Sequence, residues 1–191
     1  MLEFFKGFIK LLTVDISDNF LEGSIPQEIG NQINLVGFYA WQNKLSGIIP
    51  DGFGHCSSLQ ALDIHGNFFH GGIPTSFSGL GSFQFVDLSD NNLSGTIPNY
   101  FTNFSQLEWL NFSYNNFEDG VPTAGVFANI SEISLDGNVK LCGGIPELHL
   151  PRCEISKEKK KRRKTYYAVK LTVLLICALF GGVNHYGMVV P

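Results

Sequence analysis

Apolar residues recur along the chain in a fixed order with a period of 24 residues. Each unit reads apolar, two variable residues, apolar, one variable residue, apolar, two variable residues and then asparagine. In the fourth unit, Phe83, Val86 and Leu88 hold the apolar positions, and Asp87 alternates with them as a short half-buried strand requires. One such unit cannot bury its apolar face alone, so the period predicts stacked coils that share one core.

An asparagine follows each predicted strand, and a proline stands seven residues after each asparagine. We expect the asparagine amide to bond backbone groups of its own coil and of the next, because an unpaired group there would cost about 1–3 kcal/mol. A glycine between the two permits a tight bend, and the proline suits an outer segment without full sheet pairing. We assign a structural role to the five repeat asparagines, Asn19, Asn43, Asn67, Asn91 and Asn115.

These units resemble the plant-type leucine-rich repeat. The stretch NNFEDGVPTAGVFANISEISLDGNVKLCGGIPELHLPRC, residues 115–153, resembles the end of the ectodomain in plant leucine-rich repeat receptor-like serine/threonine kinases, especially the immune-receptor subgroup. The resemblance implies an α/β-type solenoid with short parallel strands on its concave face and irregular and 3-10 segments on its convex face. It also implies an incomplete leading segment at 1–10, five repeats at 11–130 and a C-terminal cysteine cap at 131–153.

The four cysteines divide into three kinds of position. By resemblance, Cys142 and Cys153 form the disulfide of the cap. Cys56 occupies the repeat position that Leu80 and Phe104 fill in later units, which predicts a small buried apolar side chain. A metal site made of Cys56 with the two nearby histidines has no standard ligand spacing, and we expect no metal. The fourth cysteine lies in an apolar run near the C-terminus, and the remaining residues of these sets are His65, His70 and Cys177.

Charge divides the chain at residue 154. Residues 1–154 hold 16 acidic and 5 basic residues, a formal net charge of −11, whereas residues 155–191 hold 1 acidic and 8 basic residues, a net of +7. The basic linker at 154–164 leads into an apolar run at 165–183, which predicts a single transmembrane helix followed by a short tail at 184–191. Only 13 residues of that run, 171–183, are free of charge, so a truncated tail that adheres to membranes and a nuclear-type basic stretch stay open as alternatives.

Topology and activity follow from the same comparison of motifs. The resemblance implies a plasma-membrane, single-pass protein with extracellular repeats, provided that a signal is supplied, since the charged residues near Met1 leave no signal-peptide run. The basic residues before the apolar run favour the opposite orientation, with the repeats in the cytosol. None of the glycine-rich loop, strand lysine or catalytic-loop motifs of a protein kinase occurs, so we expect a binding protein and not an enzyme.

The outward residues of successive strands predict a ligand-binding concave face. Exposed aromatic rings beside carboxylates suit an extended peptide with apolar and basic side chains. The strand aspartates have an alternative role in hydrogen bonds between neighbouring strands. The candidate binding residues are Tyr39, Trp41, Asp63, His65, Phe85, Asp87, Trp109 and Tyr114, and the candidate glycosylation sequons begin at Asn92, Asn103, Asn111 and Asn129.

The resemblance implies the ligand- or co-receptor-binding portion of a receptor ectodomain that acts in cell-surface peptide perception and defence signalling. The expected partners are a peptide ligand, a co-receptor repeat ectodomain, or both, together with the membrane. We expect no nucleic acid and no small-molecule cofactor. Two alternatives stay open: a truncated receptor-like decoy or adaptor, and a gene fragment without function.

Overall fold

The computed structural model describes residues 11–154, in which each of six coils contributes one strand to a parallel sheet, here sheet A. Residues one period apart pair directly, as Leu62 does with Val86. This arrangement confirms the predicted repeat solenoid with parallel strands. The strands of sheet A, in spatial order, are β1 (Thr13–Asp15), β3 (Gly37–Tyr39), β5 (Ala61–Asp63), β7 (Phe85–Asp87), β9 (Trp109–Asn111) and β11 (Ile133–Ser134).

A second parallel sheet, sheet B, occupies the segment after each repeat asparagine, where the sequence predicts an irregular outer path. Only one inward apolar residue, such as Leu93, separates the asparagine from the glycine bend, so the alternation is too short to reveal a strand. Stacking of the coils brings these backbones into register. The strands of sheet B are β2 (Glu22–Gly23), β4 (Lys44–Gly47), β6 (Phe68–Gly71), β8 (Asn92–Thr96), β10 (Asn116–Val121) and β12 (Lys140–Gly143).

Short 3-10 helices complete the coils, and a proline directly precedes each of the first four. The fixed proline φ, −64° at Pro50 for example, leads the chain into the turn. Phe53, Phe77 and Phe101, three residues after a proline, are fully buried, and the first two rings lie 6.4 Å apart. The 3-10 segments are Gln27–Asn31, Asp51–His55, Thr75–Gly79, Asn99–Asn103, Gly125–Ala128 and Pro146–Leu148.

One apolar core runs through the coils. The central residues of β5, β7 and β9, namely Leu62, Val86 and Leu110, have no exposed surface, and each such burial is worth about 1.5–3 kcal/mol. Cys56 is also fully buried, and its thiol donates to the Ile29 carbonyl oxygen at 3.4 Å. It therefore occupies the position predicted for a small apolar side chain.

The repeat asparagines form a hydrogen-bond ladder between coils. Asn67 Oδ1 accepts from the backbone N–H of Leu45 at 2.9 Å, and its Nδ2 donates to the carbonyl oxygens of Ala40, Ile64 and His65 at 2.9, 3.1 and 3.2 Å. Leu45 and Ala40 belong to the preceding coil. The ladder thus runs to the preceding coil and not to the next one, because the amide turns back along the stack.

A sixth asparagine continues the ladder inside the segment predicted as the cap. Asn138 Oδ1 accepts from Phe117 N–H at 3.0 Å, and Nδ2 donates to Phe112 O at 2.9 Å. It stands 23 residues after Asn115, so the strict 24-residue spacing does not reveal it. With β11 and β12, the repeat geometry extends through residue 143.

The disulfide between Cys142 and Cys153 closes the end of this segment. It joins β12 to the strand-like segment that follows, and Gly143 N–H donates to Pro151 O at 2.8 Å beside it. The cysteine pairing that the resemblance implies is therefore present in the structure.

The apolar run predicted as a transmembrane helix, residues 165–183, lies outside the described residues. Within residues 11–154, no helix has the length and apolar character needed to cross a membrane.

Candidate functional site

The face of sheet A that points away from the core, here the open face, presents its side chains in columns one period apart. The first column places Gly37 beside Ala61, Ala61 beside Phe85 and Phe85 beside Trp109. It therefore steps from small residues in the early coils to aromatic rings in the later ones. Trp109 is 38% exposed, whereas Phe85, predicted as exposed, is half-buried.

Two further aromatic side chains of the open face are held in place by their neighbours. The Tyr39 ring lies back over Gly37, where an added Cβ would come within 2.7 Å of the ring. Trp41, also predicted as exposed, is half-buried because its ring stacks on His65 at 5.5 Å with an interplanar angle of 2°. These contacts fix both rings before any partner arrives.

Tyr114 lies at the far end of the face in an unusual backbone conformation. Its φ of 53° is left-handed, and its side chain is 65% exposed. The ring covers Gly137, where an added Cβ would meet it at 2.6 Å. Strained positions with exposed aromatic rings are candidates for a functional role.

An open depression of about 520 Å³ lies in the middle of this face. Ala61 forms part of its lining, with Tyr39 one coil before and Phe85 one coil after. Asp63 is the charged residue of the lining, which also includes Thr13, Val36, Gly37, Trp41, Gln60 and Gln84. The depression thus has aromatic sides and a carboxylate in its lining.

The Asp63 carboxylate is buried but keeps one oxygen free of the described residues. Its Oδ1 accepts from the backbone N–H of His65 at 3.2 Å and lies 2.7 Å from His65 Nδ1. Its Oδ2 accepts no hydrogen bond from the described residues, and it is not among the fully buried unpaired atoms. Burial raises the pKa of Asp63, the contacts with His65 lower it, and the nearby Asp87 charge raises it further.

Asp87 stands at the same repeat position, but both of its oxygens are used inside the protein. Oδ1 accepts from Ser89 N–H at 2.9 Å and from Ser89 Oγ at 2.6 Å, while Oδ2 accepts from Asn111 Nδ2 at 3.0 Å. Asn111 belongs to the next coil. Asp87 therefore serves the hydrogen bonds between neighbouring strands that the sequence offered as the alternative role.

The structure groups Asp63, His65 and Asp87 so that one potential metal-ligand atom of each lies within 4.8 Å of the others. Internal hydrogen bonds already engage Asp63 Oδ1 and both oxygens of Asp87, so a cation would have to displace them. Cys56 and His70, weighed as ligands with His65 from the sequence, lie elsewhere: the thiol is in the core and His70 is in β6 of sheet B.

The four sequon asparagines differ in their surroundings. Asn92, Asn103 and Asn129 are exposed, whereas Asn111 is half-buried in β9. The Asn111 amide donates to Asp87 Oδ2 and Ser89 Oγ. A glycan on Asn111 would require these bonds to break.

A second exposed apolar surface lies along sheet B and was not anticipated from the sequence. Phe20 is 87% exposed and Phe68 is 60% exposed, at the same repeat position two coils apart. Lys44 occupies that position in the coil between them, and its Nζ lies 5.9 Å from the centre of the Phe20 ring. The signal in the sequence was the residue directly after each asparagine, which faces outward once the second sheet is recognised.

Comparisons with known proteins agree with this architecture. The leucine rich repeat family matches residues 33–93 and also residues 10–32 and 106–125. The chain is 51% identical over 55 residues to the receptor kinase-like protein Xa21 of Oryza sativa subsp. japonica, a match that covers 29% of this chain and 5% of the relative. The chain thus spans about one twentieth of the length of that curated relative.

Solved structures give the same result. The leucine-rich repeat ectodomain of the receptor kinase SOBIR1 from Arabidopsis thaliana aligns with a TM-score of 0.62 and 30% identity over 70% of this chain and 72% of that one. The plant peptide hormone receptor RGFR1, in complex with RGF2, aligns with a TM-score of 0.56 and 33% identity over 57% of this chain and 18% of that one. The chain therefore belongs to the leucine-rich repeat receptor kinase family of plants, with residues 11–153 corresponding to its ectodomain.

Proposed function

We propose that this chain binds a peptide ligand on the open face of sheet A, as part of the ectodomain of a cell-surface receptor. The observation that carries the proposal is the aromatic and acidic surface formed by Tyr39, Trp41, Asp63, Phe85 and Trp109. The ring stacks and hydrogen bonds on this face hold its side chains in place, so little conformational entropy would be lost on binding.

Charge favours a basic or neutral partner. Among residues 11–154, 15 carboxylate side chains stand against only 3 lysine and arginine side chains, and this excess attracts cationic ligands over distances of about 10 Å at moderate ionic strength. One aromatic anchor surrounded by polar contacts is the arrangement found at binding hot spots. The similarity to the peptide hormone receptor RGFR1 supports the same assignment.

A selected peptide library tests the proposal. The full 191-residue chain, immobilised with its disulfide intact, is used to select peptides from a random library, and the dissociation constants of the enriched peptides are measured. We expect Trp109→Ser to weaken binding at least tenfold, the loss of one hot-spot ring. Phe20→Ser is the matched control, because it removes an exposed ring from sheet B. Equal binding by wild type and Trp109→Ser, or failure to enrich any peptide, contradicts the proposal.

A second candidate function is the docking of a co-receptor ectodomain along sheet B. The specific observation is the exposure of Phe20 and Phe68 on that sheet, since exposed rings at matching positions are typical of protein contacts. Both functions belong to one receptor, in which a ligand and a co-receptor would occupy different faces. Loss of co-receptor binding in Phe20→Ser with peptide binding retained would separate them.

We further propose a plasma-membrane location with extracellular repeats, anchored through residues 165–183 and glycosylated at the exposed sequons. The support is the resemblance to receptor ectodomains, the disulfide and the exposure of Asn92, Asn103 and Asn129. A role in defence signalling rests on the similarity to Xa21. Expression in plant cells, followed by enzymatic removal of N-linked glycans, tests the location, because an unchanged mobility would exclude entry into the secretory pathway.

A further inference from the structure

We propose that the depression at Ala61, here the arginine seat, binds the guanidinium group of an arginine side chain on the ligand. The inference rests on the proposed function and names the chemistry of its anchor. The seat is defined by Tyr39, Ala61, Asp63 and Phe85. Its argument has three steps: the spacing of the rings, the open carboxylate oxygen and the cost of filling the seat with an apolar group.

The two rings bracket a space of the right width. Tyr39 lies in β3 and Phe85 in β7, with Ala61 of β5 between them, so their strands are two strand spacings apart, roughly 9–10 Å. A planar cation midway would lie about 5 Å from each ring, inside the distance of about 6 Å at which a cation attracts an aromatic face. The small side chain of Ala61 leaves this space empty, whereas Phe85 fills the same repeat position in the next coil.

The carboxylate then selects the charge of the guest. Asp63 Oδ2 accepts no hydrogen bond from the described residues, while His65 holds Oδ1 and so fixes the direction of the carboxylate. A guanidinium carries its donors in a planar fork that matches a carboxylate. Asp87, the corresponding residue of the next coil, offers no such oxygen, because Ser89 and Asn111 occupy both.

An apolar guest is the weaker alternative. It would cover the half-open Asp63 carboxylate without replacing the water that the carboxylate loses, which leaves a buried charge unpaired. Burial already raises the pKa of Asp63, which shows that the carboxylate has little water to lose before it needs a cation. An arginine satisfies the rings and the carboxylate together.

The test uses short probes and a reporter inside the site. The full chain is produced with 5-fluorotryptophan, and the fluorine resonances of Trp41 and Trp109 are assigned with the variant Trp109→Phe. The probes are the blocked tripeptides Ac-Gly-Arg-Gly-NH2, its citrulline analogue, which has nearly the same shape without the charge, and its phenylalanine analogue. Each probe is titrated to millimolar concentration, and the dissociation constant is taken from the shift of the Trp41 resonance.

We expect the arginine probe to shift the Trp41 resonance saturably and to bind at least tenfold more tightly than the citrulline probe, as a charge-assisted pair requires. Asp63→Asn should remove this difference, and Ala61→Leu should abolish binding by filling the seat. The matched control is Asp90→Asn, which neutralises an exposed carboxylate in a neighbouring position of the same face and tolerates the left-handed φ of 52° there.

Three results would overturn the arginine seat: equal binding of the arginine and citrulline probes, unchanged arginine binding in Asp63→Asn, or no shift with any probe. Tighter binding of the phenylalanine probe, lost in Ala61→Leu, would assign the seat to an apolar anchor instead. These failures are distinguishable from failure of the proposed function, because library peptides that depend on Trp109 would still show a peptide-binding face.

Discussion

Replacing Asn67 by alanine removes one member of the hydrogen-bond ladder in the middle of the stack. Asn67 is 6% exposed, and its four hydrogen bonds connect two coils. The three carbonyl oxygens keep other donors: Ala40 O retains the Asn43 amide, Ile64 O retains the Asn91 amide and His65 O retains Gln42 N–H. The backbone N–H of Leu45 keeps no listed side-chain acceptor, so it becomes the orphaned group.

The expected loss of stability follows from that orphan. A buried unpaired N–H costs about 1–3 kcal/mol, and the cavity left by the amide adds about 1 kcal/mol. The free energy of unfolding should therefore fall by about 2–4 kcal/mol. With a urea dependence of about 2 kcal/mol per molar, the midpoint of unfolding moves down by about 1–2 M.

The assay is urea unfolding of the full chain with the disulfide intact, followed by tryptophan fluorescence and circular dichroism. Asn19→Ala is the matched control, because Asn19 is exposed and its Oδ1 accepts no hydrogen bond from the described residues. We expect the control to cost less than about 1 kcal/mol. A loss below about 0.5 kcal/mol in Asn67→Ala, or an equal loss in the two variants, would refute the proposed role of the ladder.

Asn67→Asp adds a pH test at the same position. Its Oδ1 can still accept from Leu45 N–H, but its second oxygen would face three carbonyl oxygens, so burial and repulsion should raise its folded-state pKa above the unfolded value of about 3.9. A raised pKa gives stability that is complete below the unfolded pKa and is lost as pH rises through the folded pKa. Asn67→Asp should therefore be less stable than Asn67→Ala at pH 7 and regain stability on acidification; a pH-independent difference would contradict this.

Three further predictions concern single positions. Burial raises the pKa of Cys56 to about 11, so iodoacetamide at pH 8 should leave this thiol unlabelled in the folded chain and label it after denaturation, as read by mass spectrometry of its peptide; rapid native labelling would contradict the burial. Replacing Cys142 and Cys153 by serine should lower the free energy of unfolding by about 2–4 kcal/mol, measured by urea unfolding, whereas an unchanged midpoint would show that the closed loop adds no stability. Asp119 takes a left-handed φ of 68° where Gly95 takes 82°, so Asp119→Gly should raise the melting temperature, by about 1 kcal/mol of relieved strain, and Asp119→Ala, the control, should not.

The strictly periodic features of the fold could be predicted from the sequence. The inward residues of sheet A, the asparagines and the prolines repeat every 24 residues, and each has a physical role that one residue type fills best. Sheet B escaped prediction because only one inward residue, as at Leu93, marks each of its strands. The sixth coil escaped because Asn138 falls one residue short of the period.

The candidate site was predictable in its location but not in its detail. The pattern identified the outward positions of the strands, including Asp63 and Asp87, but treated these two aspartates as equivalent. They differ because the next coil supplies an amide at Asn111 for Asp87, and no printed side chain of a neighbouring coil meets Asp63 Oδ2. Such a difference depends on side-chain partners a full period away, which local sequence patterns do not reveal.

Departures from the repeat, and not the repeat itself, distinguish the binding face. Residues that serve stacking must recur in every coil, because each coil presents the same backbone to its neighbours. The column that changes from Gly37 and Ala61 to Phe85 and Trp109 serves no such repeated contact, and Asp63 keeps an oxygen that Asp87 does not. Local departures that leave the fold intact are expected at functional sites. The coils from β3 to β7, where both departures coincide, are therefore the part of the open face best suited to recognise a ligand.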